Sequence, residues 1–282
     1  MQSMSERTQW VPILIIMVGI AITAFPLWIT FVASTLTPQE IARGMPLLPG
    51  DRTIENYNQA LFESATTRIV SPPVWNMMWN SLIMAMVIAF GKIAISLISA
   101  YAVVFFNFPG RMLFFWMIFI TLMLPVEVRI VPTYQVVADL GLLNSFTGLT
   151  LPLIASATAT LLFRQFFLTI PDELVEAAKI DGAGPLRFFR DIILPLSITN
   201  IAALFVILFI YGWNQYLWPL LITTSASMDT IVIGITKMIG SGDAMTDWNT
   251  VMATTMLAIL PPTLVIVLMQ RLFVKGLVET EK

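Results

Sequence analysis

A helix needs about twenty apolar residues to cross the hydrocarbon of a bilayer, and this chain of 282 residues carries six runs of that order. They fall at about 10–33, 76–105, 112–134, 145–168, 198–222 and 250–273. Backbone polar groups in lipid must be satisfied within the spanning segment, which selects helices for runs of this length. The chain is therefore expected to be all-α: a polytopic membrane protein of six transmembrane helices, with the lipid bilayer as its solvent. Composition agrees. Only 11% of residues are charged and the mean hydropathy is +0.85, whereas a soluble domain carries roughly a quarter charged residues.

The first run opens at Trp10, after MQSMSERTQ. The apolar core of a secretory signal spans only about 7–15 residues before its cleavage site. Here the run continues to about Val32 and contains Pro26 and Trp28, so a retained membrane helix is expected. Pro125 interrupts the third run, and Pro152, Pro219, Pro261 and Pro262 lie within or beside others. Membrane helices tolerate such breaks because neighbours re-satisfy the freed backbone.

Lys and Arg in the connections set the orientation. With the N-terminus inside, the inner set is Arg7, Arg111, Arg164, Lys179, Arg187, Arg190, Arg271, Lys275 and Lys282. The outer set is Arg43, Arg52, Arg68, Arg129 and Lys237, and Lys92 stays within the membrane. Both termini are expected to be cytoplasmic. The connection at 34–74, rich in Pro, Gly and charge, is expected to fold outside, and that at 224–249 to form a short re-entrant or surface element. No internal repeat or low-complexity tract is evident. The chain has no cysteine and no histidine, which removes disulfides, thiolate metal sites and the commonest general base.

One cassette breaks the oily pattern. Residues 172–184, DELVEAAKIDGAG, hold five charges in thirteen residues, between the fourth and fifth runs. Thr169, Pro171, Asp172 and Glu173 compose a helix start: a capping hydroxyl, an early proline and acids at the positive end of the dipole. Gly182 is suited to end that helix left-handed, and Pro185 to start another carrying Leu186, Phe188 and Phe189. The expected product is a helix–turn–helix at the cytoplasmic surface, with Glu176 and Asp181 exposed. By spacing alone this equals an ordinary solvated loop helix.

The wording is more specific. Glu176-Ala177-Ala178, Asp181-Gly182-Ala183, Phe188-Phe189 and Leu194-Pro195-Leu196 resemble the EAA loop of ABC importer permeases. Residues 75–275 look like the transmembrane core of the carbohydrate-uptake group that includes the maltose importer. The stretches ITLMLPVEVRIVPTY (120–134), LPLIASATATLLFRQFF (151–167) and YGWNQYLWPLL (211–221) look most like its sn-glycerol-3-phosphate branch. The resemblance implies a MetI-like, type I importer fold: an N-terminal helix and outer connection (1–74), the core (75–275) with its coupling loop (169–195), and a cytoplasmic tail (276–282). It implies a bacterial inner-membrane complex with a second, different permease, a pair of ATPase subunits and a periplasmic binding protein. In it Glu176, Ala177, Ala178, Asp181, Gly182 and Ala183 would couple to the ATPase. No cofactor is expected in this chain; the partner ATPases would bind ATP and Mg, since no GxxxxGK[ST] loop occurs here. It is thus expected to be a transport subunit without ATPase chemistry of its own, with no nucleic-acid partner. The same architecture importing maltose-like or other sugars is the alternative.

Polar residues inside membrane runs are expensive and mark candidate paths. Lys92 lies mid-run, where its ammonium suits a phosphate; snorkelling or an acid partner are the bland alternatives. Glu127 and Arg129 follow Pro125, and Arg129 suits bidentate phosphate binding or an ion pair. Trp213, Asn214, Gln215 and Tyr216 set hydrogen-bonding groups beside aromatic faces that suit a polyol, unless the tryptophans are interfacial anchors. Asn80, Ser81 and Thr121 are expected to bridge helices. A secondary transporter would show inverted symmetry and proton-relay acids, and an intramembrane enzyme paired acids or a His or Cys; neither pattern is present.

Overall fold

The computed structural model describes residues 10–44, 46–63, 72–121, 124, 126–239 and 246–279. No strand occurs among them. All six apolar runs are helical, but only three are unbroken: α1 (Trp10–Ser34), α4 (Val74–Phe105) and α15 (Trp248–Glu279). Between α1 and α4 lie α2 (Pro38–Arg43) and α3 (Thr53–Phe62). The third run comprises α5 (Arg111–Ile120) and α6 (Val126–Asp139), one on each side of Pro125. The fourth comprises α7 (Phe146–Thr150), a 3₁₀ turn (Leu151–Leu153) and α8 (Ala157–Phe167), bent by 46°. The fifth is α12 (Ile198–Trp213) and α13 (Leu217–Ile222). Among the described residues, three helices are long and apolar enough to span a membrane, or up to five spans if bent pairs each count as one.

The chain divides into two units, residues 1–76 with 234–260, and 77–233 with 261–282. In the first, the described part of the connection after α1 is folded into α2 and α3. Thr37 and Glu40 form a reciprocal cap at the start of α2: Glu40 N donates to Thr37 Oγ1, and Thr37 N to Glu40 Oε2 at 2.8 Å. Buried Asn56 on α3 donates through Nδ2 to Ser34 O (2.8 Å) and Leu36 O (2.9 Å), satisfying carbonyls at the end of α1. Asn249 Nδ2 in turn donates to Asn56 Oδ1, tying α15 to the same junction. A polar cleft of about 360 Å³ beside it is lined by residues that include Gln39, Arg52, Glu55 and Asp247. Trp10 to Trp28 on α1 stay exposed, a length of apolar surface that only lipid or another chain can cover.

The second unit is organised on α4. Its core unites Met84 and Ile88 with Val137, Leu149, Trp218 and Ile222. Small residues permit close crossings: a Cβ on Gly212 would lie 2.8 Å from Ala85 Cα, and one on Gly91 2.7 Å from Ile154 Cγ2. Ser96 Oγ donates to Ser156 O at 3.1 Å, satisfying a carbonyl at the bend of the fourth run. Asn80 Nδ2 donates to Ser227 O and Asp229 O, and Ser81 Oγ accepts from Ile231 N. These two residues bridge as expected, although they pin the 224–231 connection rather than another long helix. Thr121 does not bridge: its hydroxyl donates to Ile118 O of its own helix. Residues 240–245, including most of SGDAMTDW, lie outside the described residues.

Candidate functional site

The charged cassette folds as two short helices, α9 (Asp172–Ile180) and α10 (Pro185–Phe188). The N-cap differs from expectation. Pro171 occupies it without a side-chain bond, and the Thr169 hydroxyl turns back to donate to Phe166 O. At the other end Gly182 takes φ +71°, and the two bonds of a Schellman closure form: Ala183 N to Ala178 O (2.9 Å) and Gly182 N to Lys179 O (3.0 Å). Glu176, Ala177, Asp181 and Gly182 are exposed, Ala183 is half-buried, and Ala178 faces the bundle with 5% exposure. Ile180 and Leu186 stand out at 86% and 80% exposure, an apolar pair beside exposed acids. That is the composition of a surface made to be covered.

After α10 the chain winds through a π turn (Phe189–Ile193) and α11 (Leu194–Leu196), then bends by 69° into α12. Pro195 accounts for this irregularity, since its ring lacks an N–H and clashes one turn back. Arg187 and Arg190 both reach Asp191, with Arg190 Nε at 2.7 Å. Arg164, expected in a connection, instead sits in the last turn of α8 with its guanidinium 4.3 Å from the Phe115 ring centroid.

Within the bundle, Lys92 is 7% exposed and its ammonium lies 3.9 Å from the centroid of the Tyr211 ring. It neither snorkels nor, among the described residues, pairs with an acid; the ring face supplies the negative potential instead. Arg129 is exposed on α6. The Glu127 side chain lies outside the described residues. Trp213 is buried and stacks on Phe209 at 6.0 Å, and Trp218 is buried with Nε1 donating to Gly148 O. The two tryptophans are core, not interfacial anchors. Asn214, Gln215 and Tyr216 occupy the break between α12 and α13; Asn214 and Tyr216 are exposed, and Gln215 Nε2 donates to Tyr211 O at 3.1 Å. Tyr211, whose ring covers Lys92, is not singled out by the sequence patterns. The signal they hold is a phenol in an otherwise apolar run, one turn from Gln215.

A bundle of broken and continuous apolar helices, with an exposed charged elbow before the fifth run and a buried cation within, defines an importer permease. The model of the binding-protein-dependent transport system inner membrane component family matches residues 92–279, and the chain belongs to that family. It is 65% identical over 270 residues to the sn-glycerol-3-phosphate transport system permease protein UgpE of Brucella melitensis, covering 95% of each chain. To the protein of the same name from Escherichia coli O1:K1 it is 56% identical over 283 residues, 99% of this chain and all of that one. A solved bacterial ABC transporter, involved in importing the acidic polysaccharide alginate, shares the fold: TM-score 0.81 at 20% identity, over 96% of this chain and 98% of that one.

Proposed function

We propose that this chain is one of two different permease subunits of a bacterial inner-membrane ABC importer that carries sn-glycerol-3-phosphate by alternating access. The observation that carries the cargo is the 56–65% identity, over nearly the whole chain, to permeases named for that ester. The bundle chemistry supports it. Lys92 is a buried cation covered by the Tyr211 ring, with no carboxylate paired to it among the described residues. A buried cation of this kind attracts a passing dianion, and Arg129 offers a fork suited to phosphate oxygens. Asn214, Gln215 and Tyr216, at the helix break by Trp213, offer hydrogen bonds to the glycerol hydroxyls.

Coupling falls to the exposed elbow. Glu176, Ala177, Asp181 and Gly182 form the face presented to the ATPase, with Ala178 and Ala183 seating the helix against the bundle. ATP and Mg bind in the partner ATPase pair; closure of that pair moves the elbow and turns the cavity outward. A periplasmic binding protein delivers cargo on the opposite side, and both termini lie in the cytoplasm. The test is ATP-driven uptake of radiolabelled sn-glycerol-3-phosphate into vesicles carrying the full complex, with maltose as comparison and Lys92→Met as variant. Uptake of the ester alone, reduced about tenfold by loss of one buried charge contact, is expected. Uptake of maltose alone would discard the phosphate reading and leave the importer assignment standing.

A further inference from the structure

A movement of α9 and α10 has two routes into the bundle, and they differ in stiffness. The route along the chain is soft. It passes through the π turn at Phe189–Ile193, the Pro195 helix and the 69° bend before reaching α12. π turns interrupt the regular hydrogen-bond ladder and are frequent at functional sites.

The sideways route is tight. Tyr101, 8% exposed on α4, donates from its hydroxyl to Pro185 O, the first carbonyl of α10, at 2.7 Å. Its ring lies 4.9 Å from Phe189 and 6.3 Å from Phe188. Phe105, one turn further along α4, meets Phe188 edge-on at 5.4 Å and Phe167 of α8 at 5.8 Å. Aromatic contacts of this kind have defined geometry and add energy beyond area burial. From Tyr101, α4 runs back without an internal proline to Lys92, about 13 Å away at the helical rise of 1.5 Å per residue.

We propose that Tyr101 is the positioning residue that carries displacement of the coupling elbow laterally into α4, and through α4 to the Lys92–Tyr211 pair. This rests on the coupling role assigned above to the elbow. The hydroxyl fixes the elbow's height on α4, and the ring cluster resists sliding. The soft segment before α12 lets the elbow swing without dragging that helix along its axis.

The experiment is the full complex in proteoliposomes, scoring assembled complex, binding-protein-stimulated ATP hydrolysis and ester imported per ATP. Tyr101→Phe removes one oxygen, and Phe188→Leu removes the edge-on ring while keeping apolar volume. Both are expected to assemble and hydrolyse ATP, with import per ATP reduced about fivefold, the scale of one lost hydrogen bond. Wild-type import per ATP in both variants would overturn the proposal. So would a loss of assembled complex in proportion to uptake, which marks a merely structural contact. Gly182→Val separates the layers. If it loses uptake while the Tyr101 variant is wild type, the lateral route fails and the elbow assignment survives; if it too is wild type, the elbow assignment itself fails.

Discussion

Gly182 is the residue on which the elbow's shape depends most directly. Its φ of +71° is the left-handed region, and no atom stands within 4 Å of the place a Cβ would occupy, so the constraint is backbone and not space. A branched L-residue there costs about 1–2 kcal/mol, while Asn bears the conformation with little strain. Gly182→Asn is therefore expected to keep uptake within about twofold of wild type, and Gly182→Val to lower it about tenfold. The check is uptake normalised to the amount of permease in the membrane. Equal losses in both would point to a clash with the docked partner and not to the turn. This glycine was legible in the sequence because helix, glycine and proline follow in the order of a helix–turn–helix. The partner of Lys92 was not. Nothing in the spacing of 92 and 211 says that a phenol from a distant run covers that ammonium. Tyr101 was hidden for the same reason: its bond to Pro185 O joins residues 84 apart in sequence.

At the scale of elements, the existence of the apolar helices followed from run length, whereas their breaks followed only partly. Pro125 announced the split of the third run. The 46° bend in the fourth has a quieter cause, in the 3₁₀ turn that contains Pro152 and the Ser156 cap, whose hydroxyl accepts from Ala159 N. How closely helices pack was not legible at all. Gly212 is one of several glycines in apolar runs, yet it is the one that lets α12 approach the Ala85 backbone of α4. A Cβ at 2.8 Å from a Cα cannot be accommodated by a rotamer change, so the helices must part. Overpacking of this kind costs about 1–3 kcal/mol. Gly212→Ala is expected to lower the unfolding temperature of the detergent-solubilised complex, and Gly212→Leu to lower it further. Ala85→Gly is expected not to rescue either, because the clash is with Cα. Full rescue would show that side-chain packing, not backbone approach, sets the crossing.

At the scale of the whole molecule, the expected orientation rests on an asymmetry of Lys and Arg, nine assigned inside against five outside with Lys92 between. One of the inner nine counts for less than its place in the sequence suggests. Arg164 is stacked on Phe115 within α8, and a cation held inside a helix contributes little to a rule about loops. Arg111, by contrast, bonds Phe106 O and Asn107 Oδ1 at the start of α5, so it stays at a helix end and keeps its vote. The outer residues Arg43 and Arg52 lie in a folded connection, where charge has weaker influence on insertion. The balance still favours the elbow inside. Because the chain has no cysteine, single thiols report sidedness without background. Asn58 on α3 and Glu173 on α9 are both exposed. In right-side-out spheroplasts a membrane-impermeant maleimide is expected to label Asn58→Cys and to spare Glu173→Cys, and inverted vesicles should reverse the pattern. Labelling of Glu173→Cys from outside would turn the elbow away from any cytoplasmic ATPase, and the coupling assignment would fall with the topology.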